Sequence, residues 1–490
     1  MLDPPPQTEP LPGEARTRAH QALDRFPPTV LYESHARAGE HSFHPDLPTQ
    51  TIWGYEGMFP GPTIVARYGE PVLVRNINEL PDDNGGFGMP SVAPHLHSGH
   101  QASESDGFPC DFFEQGQFYD QHYPNVLAGF LREFPPNGDP REMQSTFWRH
   151  DHRLDFTAQN TYKGLAGFYL LFGSLDTGDE TTGLRLPSGE FDVPMAFADK
   201  VFDENGKLFF DLFNTDGILG DKFTVNGKIQ PYFQVHPRKY RLRWLNTGPA
   251  RTYDLFITDP RTMRTVPVTR IANDSNLLPA PVIQDGVRLA AAERADVIID
   301  FAPYAGQSLI LENRLPQDDG RKARTILTPA GRGDALVRFD VVLPAVEDSP
   351  PLPARLLDLP TPDLSEVVQR RTFRFDRRQG QWTINGRIID CDTVDVAVRE
   401  GTAEIWTLQI NAGGWSHPIH IHLEEFFILT RNGQPPPAHE MGRKDVVDVK
   451  VNETVQVFMK FRDFTNRYVM HCHNVLHEDH AMMLRFDVVP

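Results

Sequence analysis

Short runs in which apolar and polar residues alternate dominate the chain after its first 27 residues. Examples are Val72-Leu-Val-Arg, Tyr240-Arg-Leu-Arg-Trp-Leu and Val455-Gln-Val-Phe-Met-Lys-Phe, which are rich in β-branched or aromatic residues and are bounded by glycine, proline or asparagine. A period of two is typical of strands that bury one face, and short bounded runs of this kind are typical of β-sandwiches. The pattern therefore predicts an all-β fold.

Three repeats divide the chain. Gly54-Tyr-Glu-Gly57, Phe223-Thr-Val-Asn-Gly227 and Trp382-Thr-Ile-Asn-Gly386 each end a turn on glycine, and a strand of alternating polarity follows each of them. A spacing of roughly 160–170 residues between the copies predicts three copies of one β-sandwich unit. The predicted organisation is an irregular arm over residues 1–27, domains over residues 28–180, 181–342 and 365–490, and a proline-rich linker over residues 343–364.

Composition limits the classes of partner. The 490 residues are 39% hydrophobic and 23% charged, which is typical of a globular protein. The formal net charge of −18 argues against binding to nucleic acid or to an anionic membrane surface. We find no apolar stretch of about 18 residues that would predict a transmembrane helix.

The three cysteines, Cys110, Cys391 and Cys472, are too few for a disulfide scaffold. For Cys110 and Cys391 we favour free buried thiols, and a disulfide between them is the alternative. The odd count indicates that at least one cysteine has another role.

The nineteen histidines are distributed very unevenly, and His236 is the single one between Arg153 and Ser416. Residues i and i+2 of a strand point the same way, so each His-x-His pair presents two imidazoles to one side. Imidazole binds copper, iron, nickel and zinc. The first and third copies contain four clusters, which predict several metal ions between these copies: His95-Leu-His97, His150-Asp-His152, His417-Pro-Ile-His420-Ile-His422 and His471-Cys-His473-Asn-Val-Leu-His477.

Cys472 indicates which metal binds. His477 and Met482 follow it by five and ten residues, and His417 is available from another strand. A thiolate, two imidazoles and a weak thioether are the ligand set of a blue-copper electron-transfer site, whereas zinc prefers four strong ligands. In a strand, the neighbours of Cys472 point to the opposite face, so one strand would serve an electron-entry copper on one face and a metal cluster on the other.

These motifs together resemble the multicopper oxidase family of three cupredoxin domains, over about residues 29–489, with spore-coat laccases and bilirubin-oxidase-like enzymes as the nearest likeness. The resemblance implies three cupredoxin-like Greek-key β-sandwiches, four copper ions, and O2 reduced to water with electrons from a small aromatic reductant. It implies type 1 ligands at His417, Cys472, His477 and Met482, type 2 ligands at His95 and His420, and type 3 ligands at His97, His150, His152, His422, His471 and His473. The middle copy would bind no copper.

The resemblance also implies two catalytic carboxylates. Asp106 and Glu478 match the family's acidic residues near the cluster, and we expect both to relay protons. The alternative is that each is an ordinary turn or surface carboxylate.

Several functions fit these motifs. A laccase-type oxidase would accept phenols, aminophenols or bilirubin-like pigments near His417 and His477, under the loop of residues 433–441. The alternative is a metallo-oxidase acting on Mn(II), Fe(II) or Cu(I), with Glu424, Glu425 and Glu440 as candidate ligands. A copper store or coat component is a third interpretation, which the complete set of predicted ligands disfavours.

We expect a cytoplasmic or spore-associated protein because no signal peptide is visible. The alternative is an exported form whose leader was removed. The sequence leaves the oligomeric state open.

Overall fold

The computed structural model describes residues 1–8, 11–12, 19–410 and 414–490. Within these residues the chain folds into six β-sheets, arranged as three successive sandwiches. Of the arm predicted over residues 1–27, residues 9–10 and 13–18 lie outside the described residues. Leu2 is buried in the core of the second sandwich, so the first residues of the chain are anchored there.

The first sandwich combines a five-stranded and a four-stranded sheet. Its strands are β1 Leu11–Pro12, β2 Val30–His41, β3 Gln50–Tyr55, β4 Gly61–Arg67, β5 Val72–Glu79, β6 Pro94–His97, β7 Phe118–Tyr123, β8 Thr146–Asp151 and β9 Ala166–Phe172. One sheet has the order β1-β2-β5-β7 with β3 beside β2, and the other has the order β4-β9-β8-β6. The helix α1, Thr157–Lys163, lies between β8 and β9.

The second sandwich follows the same plan with an eight-stranded and a six-stranded sheet. Its strands are β10 Asp192–Phe202, β11 Leu208–Phe209, β12 Lys222–Val225, β13 Lys228–Ile229, β14 Tyr232–Gln234, β15 Lys239–Asn246, β16 Tyr253–Asp259, β17 Arg264–Val266, β18 Val268–Asn273, β19 Asn276–Gln284, β20 Gly286–Leu289, β21 Arg294–Asp300, β22 Ser308–Asn313 and β23 Asp334–Asp340. The first sheet has the order β13-β12-β10-β15-β21-β18-β19 with β11 beside β10, and the second has the order β14-β23-β22-β16-β17 with β20 beside β16.

The third sandwich has a six-stranded and a five-stranded sheet. Its strands are β24 Val367–Arg378, β25 Gln381–Ile384, β26 Val396–Arg399, β27 Thr402–Gln409, β28 His417–Ile421, β29 Phe426–Arg431, β30 Arg443–Lys444, β31 Val446–Val449, β32 Thr454–Phe461, β33 Asn466–Cys472 and β34 Met483–Val489. The sheets have the orders β25-β24-β27-β32-β29-β30 and β26-β34-β33-β28-β31. A short helix, α2 Val475–Asp479, joins β33 to β34. Single turns of 3-10 helix occur at Ser103–Ser105, Pro140–Glu142, Gly189–Phe191, Ala302–Tyr304, Leu364–Glu366 and Ala438–Glu440.

The strands predicted from alternation are present. In β32, Val455, Val457, Met459 and Phe461 are buried in the core of the third sandwich, while the residues between most of them are more accessible. The all-β prediction is therefore confirmed. The predicted linker stretch is not free of contacts, because Leu356 is buried against the second sandwich. The domain limits stated above stay our proposal.

One prediction about the cysteines is wrong. Cys110, in a loop of the first sandwich, and Cys391, in the third, form a disulfide with a Cα–Cα distance of 6.5 Å. The two residues are separated by 281 positions, so their proximity depends on how the first and third sandwiches pack. Phe108, Val469 and Met483 form the apolar contact around the bridge. Cys472 is a free, buried cysteine.

Candidate metal centre

The first sandwich presents its histidines from two paired strands. β6 and β8 are antiparallel, and His95 lies opposite His150. Every residue of both strands is buried, so these strands lie between the sandwiches and not at the surface. His97 and His152 extend the same two clusters, and both are buried.

The third sandwich presents its histidines from β28 and β33. His420 lies opposite His471, and Ile419 lies opposite Cys472. Because neighbouring residues of a strand face opposite sides, His471 and Cys472 serve different faces of the sheet. The predicted division of β33 between two sites is thus present in the fold.

The clusters of the first and third sandwiches meet face to face. The ring of His97 stacks on that of His420 with centroids 3.7 Å apart, and the ring of His95 stacks on that of His422 at 4.0 Å. The Nε2 atom of His471 is 3.2 Å from Nε2 of His152 and 3.2 Å from Nε2 of His422. Groups of potential ligand atoms within 4.8 Å of one another are His95–His420–His422, His95–His97–His150, His152–His422–His471 and His97–His420–Asp445.

A second group forms on the other face of β33. The Sγ atom of Cys472 is 3.3 Å from Nδ1 of His417 and 3.5 Å from Nδ1 of His477, and the two Nδ1 atoms are 3.0 Å apart. Met482 is fully buried in the same core cluster as Cys472, and its carbonyl oxygen accepts a hydrogen bond from the Cys472 backbone N–H. The structure therefore brings His417, Cys472 and His477 together and places the backbone of Met482 beside that of Cys472.

The hydrogen bonds of the imidazoles leave one ring nitrogen free for a metal. His95 Nδ1 donates to the Asp106 carbonyl, His150 Nδ1 to the Asp151 carbonyl and His420 Nδ1 to the Asp445 carbonyl. The Nε2 atoms of these three histidines are buried without a hydrogen-bond partner. Buried polar atoms normally have partners. Here several imidazole nitrogen atoms without hydrogen-bond partners lie close together. This arrangement is the one expected of nitrogen ligands around a group of metal ions.

Asp106 and Glu478, the predicted catalytic residues, both contact the cluster. Asp106 Oδ2 accepts a hydrogen bond from His422 Nδ1 at 2.7 Å. Glu478 Oε1 lies 3.2 Å from His152 Nδ1, and its Oε2 lies 3.0 Å from His471 Nδ1. Both carboxylates are 1% exposed, so neither is the surface carboxylate of the alternative interpretation.

Burial keeps the imidazoles in the form that binds metals. It lowers the pKa of His150 to about 4 and that of His417 to about 3. The pKa values of His95, His97, His152, His420, His473 and His477 are lowered well below the usual range, with desolvation as the largest cause. Burial also raises the pKa of the Cys472 thiol, so a bound cation is needed to favour its thiolate.

The surroundings of His477 differ from our expectation. The loop of residues 433–441 lies elsewhere: the His439 carbonyl accepts a hydrogen bond from Asn273 of the middle sandwich, and Glu440 pairs with Arg431 of the third sandwich. It is the Asp216 carbonyl oxygen, in the middle sandwich, that accepts a hydrogen bond from His477 Nε2 at 2.9 Å. The sequence carried no signal for this contact, since 261 positions separate the two residues.

Aromatic and charged side chains complete this face. The Trp382 ring lies 3.8 Å from the His477 ring, and Trp415 packs edge-on against Trp382. Arg377 and Arg321 both pair with the Asp216 carboxylate, at 2.6 and 3.1 Å. The sequence identified Trp382 as part of the turn in the third repeat, but it did not predict the contact between Trp382 and His477.

The three glutamates considered as ligands for a metal substrate lie elsewhere. Glu424 pairs with Arg462 at 2.8 Å, and Glu440 pairs with Arg431 at 2.7 Å. Glu425 lines a cleft between the first and third sandwiches, together with Arg443 and Arg462. None of their described contacts is with His417 or His477.

The fold and the site define an all-β metalloprotein in which the first and third sandwiches enclose a site for several metal ions, beside a separate Cys–His site. Two family models described as multicopper oxidase match residues 37–124 and 360–490. A bilirubin oxidase from Albifimbria verrucaria is 36% identical, over 93% of this chain and 76% of that protein. A laccase from Bacillus subtilis is 32% identical, over 94% of each. The crystal structure of a laccase from Pediococcus acidilactici, 26% identical, matches 100% of this chain and 93% of that one with a TM-score of 0.81.

The chain therefore belongs to the multicopper oxidase family. It is a laccase-like, copper-dependent oxidoreductase with O2 as the electron acceptor, built from three cupredoxin-like domains. Among the described residues, no helix has both the length and the apolar character needed to cross a membrane.

Proposed function

We propose that this protein is a multicopper oxidase of laccase type, which oxidises phenolic, aminophenolic or bilirubin-like donors one electron at a time. The observation that carries the proposal is the pair of sites on opposite faces of β33. Four copper ions are proposed, with a type 1 ion at His417, Cys472, His477 and Met482. The cluster ligands are His95 and His420 for a type 2 ion, and His97, His150, His152, His422, His471 and His473 for a type 3 pair.

Bound copper supplies one-electron redox chemistry at the Cys472 site and the reduction of O2 to water at the histidine cluster. The chain supplies the connection between the two sites. Cys472 is bonded through the backbone to His471 on one side and His473 on the other, so one residue of covalent path separates the electron-entry site from the cluster. The buried surroundings keep water away from this path.

Asp106 and Glu478 are proposed to hold and deliver the protons that O2 reduction consumes. Each carboxylate is within hydrogen-bonding distance of a ring nitrogen of a cluster histidine, and each is buried. A carboxylate in this position orients the imidazole and can exchange a proton near the reacting oxygen.

The face outside His477 favours an organic donor. Its described surface includes one partly exposed tryptophan, Trp415, and two arginines. Arg321 lies over the Trp415 ring at 4.9 Å, and Arg377 lies over the buried ring of Trp382 at 4.9 Å. Planar aromatic donors pack on exposed rings such as that of Trp415, and guanidinium groups favour neutral or anionic molecules over metal cations. The carboxylate of Asp216 is already paired with both arginines. These contacts disfavour the metallo-oxidase alternative.

The test is O2 uptake by the copper-loaded protein. A substituted phenol, an aminophenol and bilirubin are compared with Mn(II), Fe(II) and Cu(I) at equal concentration. Fast uptake with the organic donors and slow uptake with the metal ions is the expected result. The reverse order would make the protein a metallo-oxidase. No uptake with any donor would favour a copper store or a coat component.

We also propose that the protein folds in an oxidising environment. The Cys110–Cys391 disulfide supports a spore-associated or exported protein over a cytoplasmic one, because reducing compartments keep such pairs as thiols.

A further inference from the structure

The middle domain contributes a charged side chain to the surroundings of the cluster. Arg294, at the start of β21, extends toward the third domain and pairs with Asp445. Its Nη1 donates to Asp445 Oδ1 at 2.7 Å and its Nη2 to Asp445 Oδ2 at 2.6 Å. Arg294 is 0% exposed and Asp445 is 1% exposed. Both oxygens of the carboxylate are therefore held by one planar guanidinium group, away from solvent.

Asp445 in turn contacts two histidines of the cluster. Its Oδ1 accepts a hydrogen bond from His97 Nε2 at 2.9 Å, and its carbonyl oxygen accepts one from His420 Nδ1 at 2.8 Å. Ser98 contributes a further hydrogen bond to Oδ2. As a result, side chains from all three domains meet at this one carboxylate.

The contact with Asp445 determines which nitrogen His97 offers. Because Nε2 is occupied by Asp445, the Nδ1 atom of His97 is left buried and without a partner. His95, His150 and His420 show the opposite arrangement, with Nδ1 occupied and Nε2 free. His97 therefore depends on the position of the Asp445 side chain to face the cluster in its observed orientation.

Asp445 is also close enough to bind a metal itself. One of its carboxylate oxygens lies within 4.8 Å of ligand atoms of both His97 and His420. A carboxylate that was free to rotate would compete with the imidazoles, since carboxylate oxygens are metal ligands too. In this fold both oxygens are instead engaged by Arg294.

The guanidinium group is itself firmly placed. Arg294 Nη1 donates to the Ala292 carbonyl at 3.1 Å and Nε donates to the Thr146 carbonyl at 3.3 Å. The backbone N–H groups of Arg294 and Asp445 both donate to the carboxylate of Asp274, at 3.1 Å each. The pair is thus fixed relative to both backbones.

We propose that Arg294 is a positioning residue for the copper cluster: it holds both carboxylate oxygens of Asp445, so that Asp445 orients His97 and does not take a metal ion itself. This inference rests on the proposed copper cluster but not on any particular donor. It assigns the middle domain, which we expect to bind no copper, a direct part in building the site.

The test measures copper retention and the type 2 electron paramagnetic resonance spectrum of purified Arg294→Gln protein after dialysis against a chelator. We expect the affinity of the cluster for copper to fall by about 10- to 100-fold, as for other outer partners of metal-bound histidines. The type 2 hyperfine pattern should change, and the blue absorption of the Cys472 site should stay the same. Arg294→Lys should lose less copper, because an ammonium keeps the charge but cannot bridge both oxygens.

The matched control is Arg241→Gln. Arg241 lies in the neighbouring strand β15, is 0% exposed, and pairs with Asp176 at 2.6 Å and with Asp296 at 2.5 Å. It should lose stability but retain copper with an unchanged spectrum. If Arg294→Gln does not fold, the double variant Arg294→Gln/Asp445→Asn removes both charges, and the same spectral change is expected.

Two results would overturn the inference. One is full copper content with an unaltered type 2 spectrum in the Arg294 variants, and the other is an equal loss of copper from Arg241→Gln. Both measurements are made without a donor, so they stay separate from the substrate assay. A wild-type protein that bound no cluster copper would count against the proposed function first.

Discussion

Replacing Glu478 with glutamine tests the proposed proton relay most directly. The carboxylate lies 3.2 Å from His152 Nδ1 and 3.0 Å from His471 Nδ1, while the Nε2 atoms of these histidines face each other at 3.2 Å. One carboxylate oxygen of Glu478 therefore lies beside each Nδ1 atom, and His471 Nδ1 also lies 3.3 Å from the Cys472 carbonyl oxygen. A carboxylate places a negatively charged oxygen beside each ring, whereas an amide has one oxygen and must turn its NH2 group toward the second ring.

The expected loss follows from that mismatch. One hydrogen bond to a charged group contributes about 1.5–3 kcal/mol. At about 1.4 kcal/mol for each factor of ten in rate, turnover should fall by about 10- to 100-fold. The loss should fall on O2 reduction and not on electron entry, because the described contacts of Glu478 are with His152 and His471.

Two rates are needed to separate these steps. Steady-state O2 uptake with a phenol across a range of pH reports the whole cycle, and anaerobic bleaching of the blue absorption reports electron entry alone. We expect Glu478→Gln to slow the first rate and leave the second unchanged. Unchanged uptake at every pH would refute the reasoning.

Asp479→Asn provides the matched control for Glu478→Gln. Asp479 is the next residue, is 9% exposed, and accepts a hydrogen bond from the Ala158 N–H through Oδ2 at 3.0 Å. An asparagine keeps an oxygen for that bond, so its turnover should stay near that of the wild type. An equal loss in both variants would indicate a general disturbance of helix α2.

Three further outcomes follow from the structure. Met482→Leu should raise the reduction potential of the blue site by removing a thioether, as measured by redox titration; an unchanged potential would mean that Met482 is not a ligand. Replacing Cys110 and Cys391 together with serine should lower the unfolding free energy of the metal-free protein by about 2–5 kcal/mol in a denaturant titration, because the bridge closes a very long loop; equal midpoints would contradict this. Burial lowers the pKa of Lys200 to about 7 in the folded protein, whereas the ordinary pKa of lysine in the unfolded chain is about 10.4. Between these two pH values only the unfolded chain keeps the proton on Lys200. The wild-type protein should therefore become more stable as the pH rises through this range. Relative to the wild type, Lys200→Met should therefore raise the free energy of unfolding most at pH 7 or below. A difference in unfolding free energy between the two proteins that does not decrease as the pH rises would exclude this explanation.

Much of the site was predictable because its motifs are local. The spacing of His95 and His97 is that of two side chains on one face of a strand, and the offsets of His477 and Met482 from Cys472 span a single strand, turn and short helix. Such distances depend on backbone geometry over a few residues. The sequence by itself therefore determined the all-β class, and it predicted the division of residues between two sites and the type of metal.

The partners of these motifs depended on tertiary structure. Cys110 meets Cys391, His477 meets Asp216, and Arg294 meets Asp445 across separations of 281, 261 and 151 positions. Nothing in the local pattern specifies such pairs, since each requires two domains to pack in one relative orientation. For that reason the sequence predicts which residues bind copper, as we propose above. Domain packing alone decided what covers the Cys472–His477 group and what holds the clustered histidines in place.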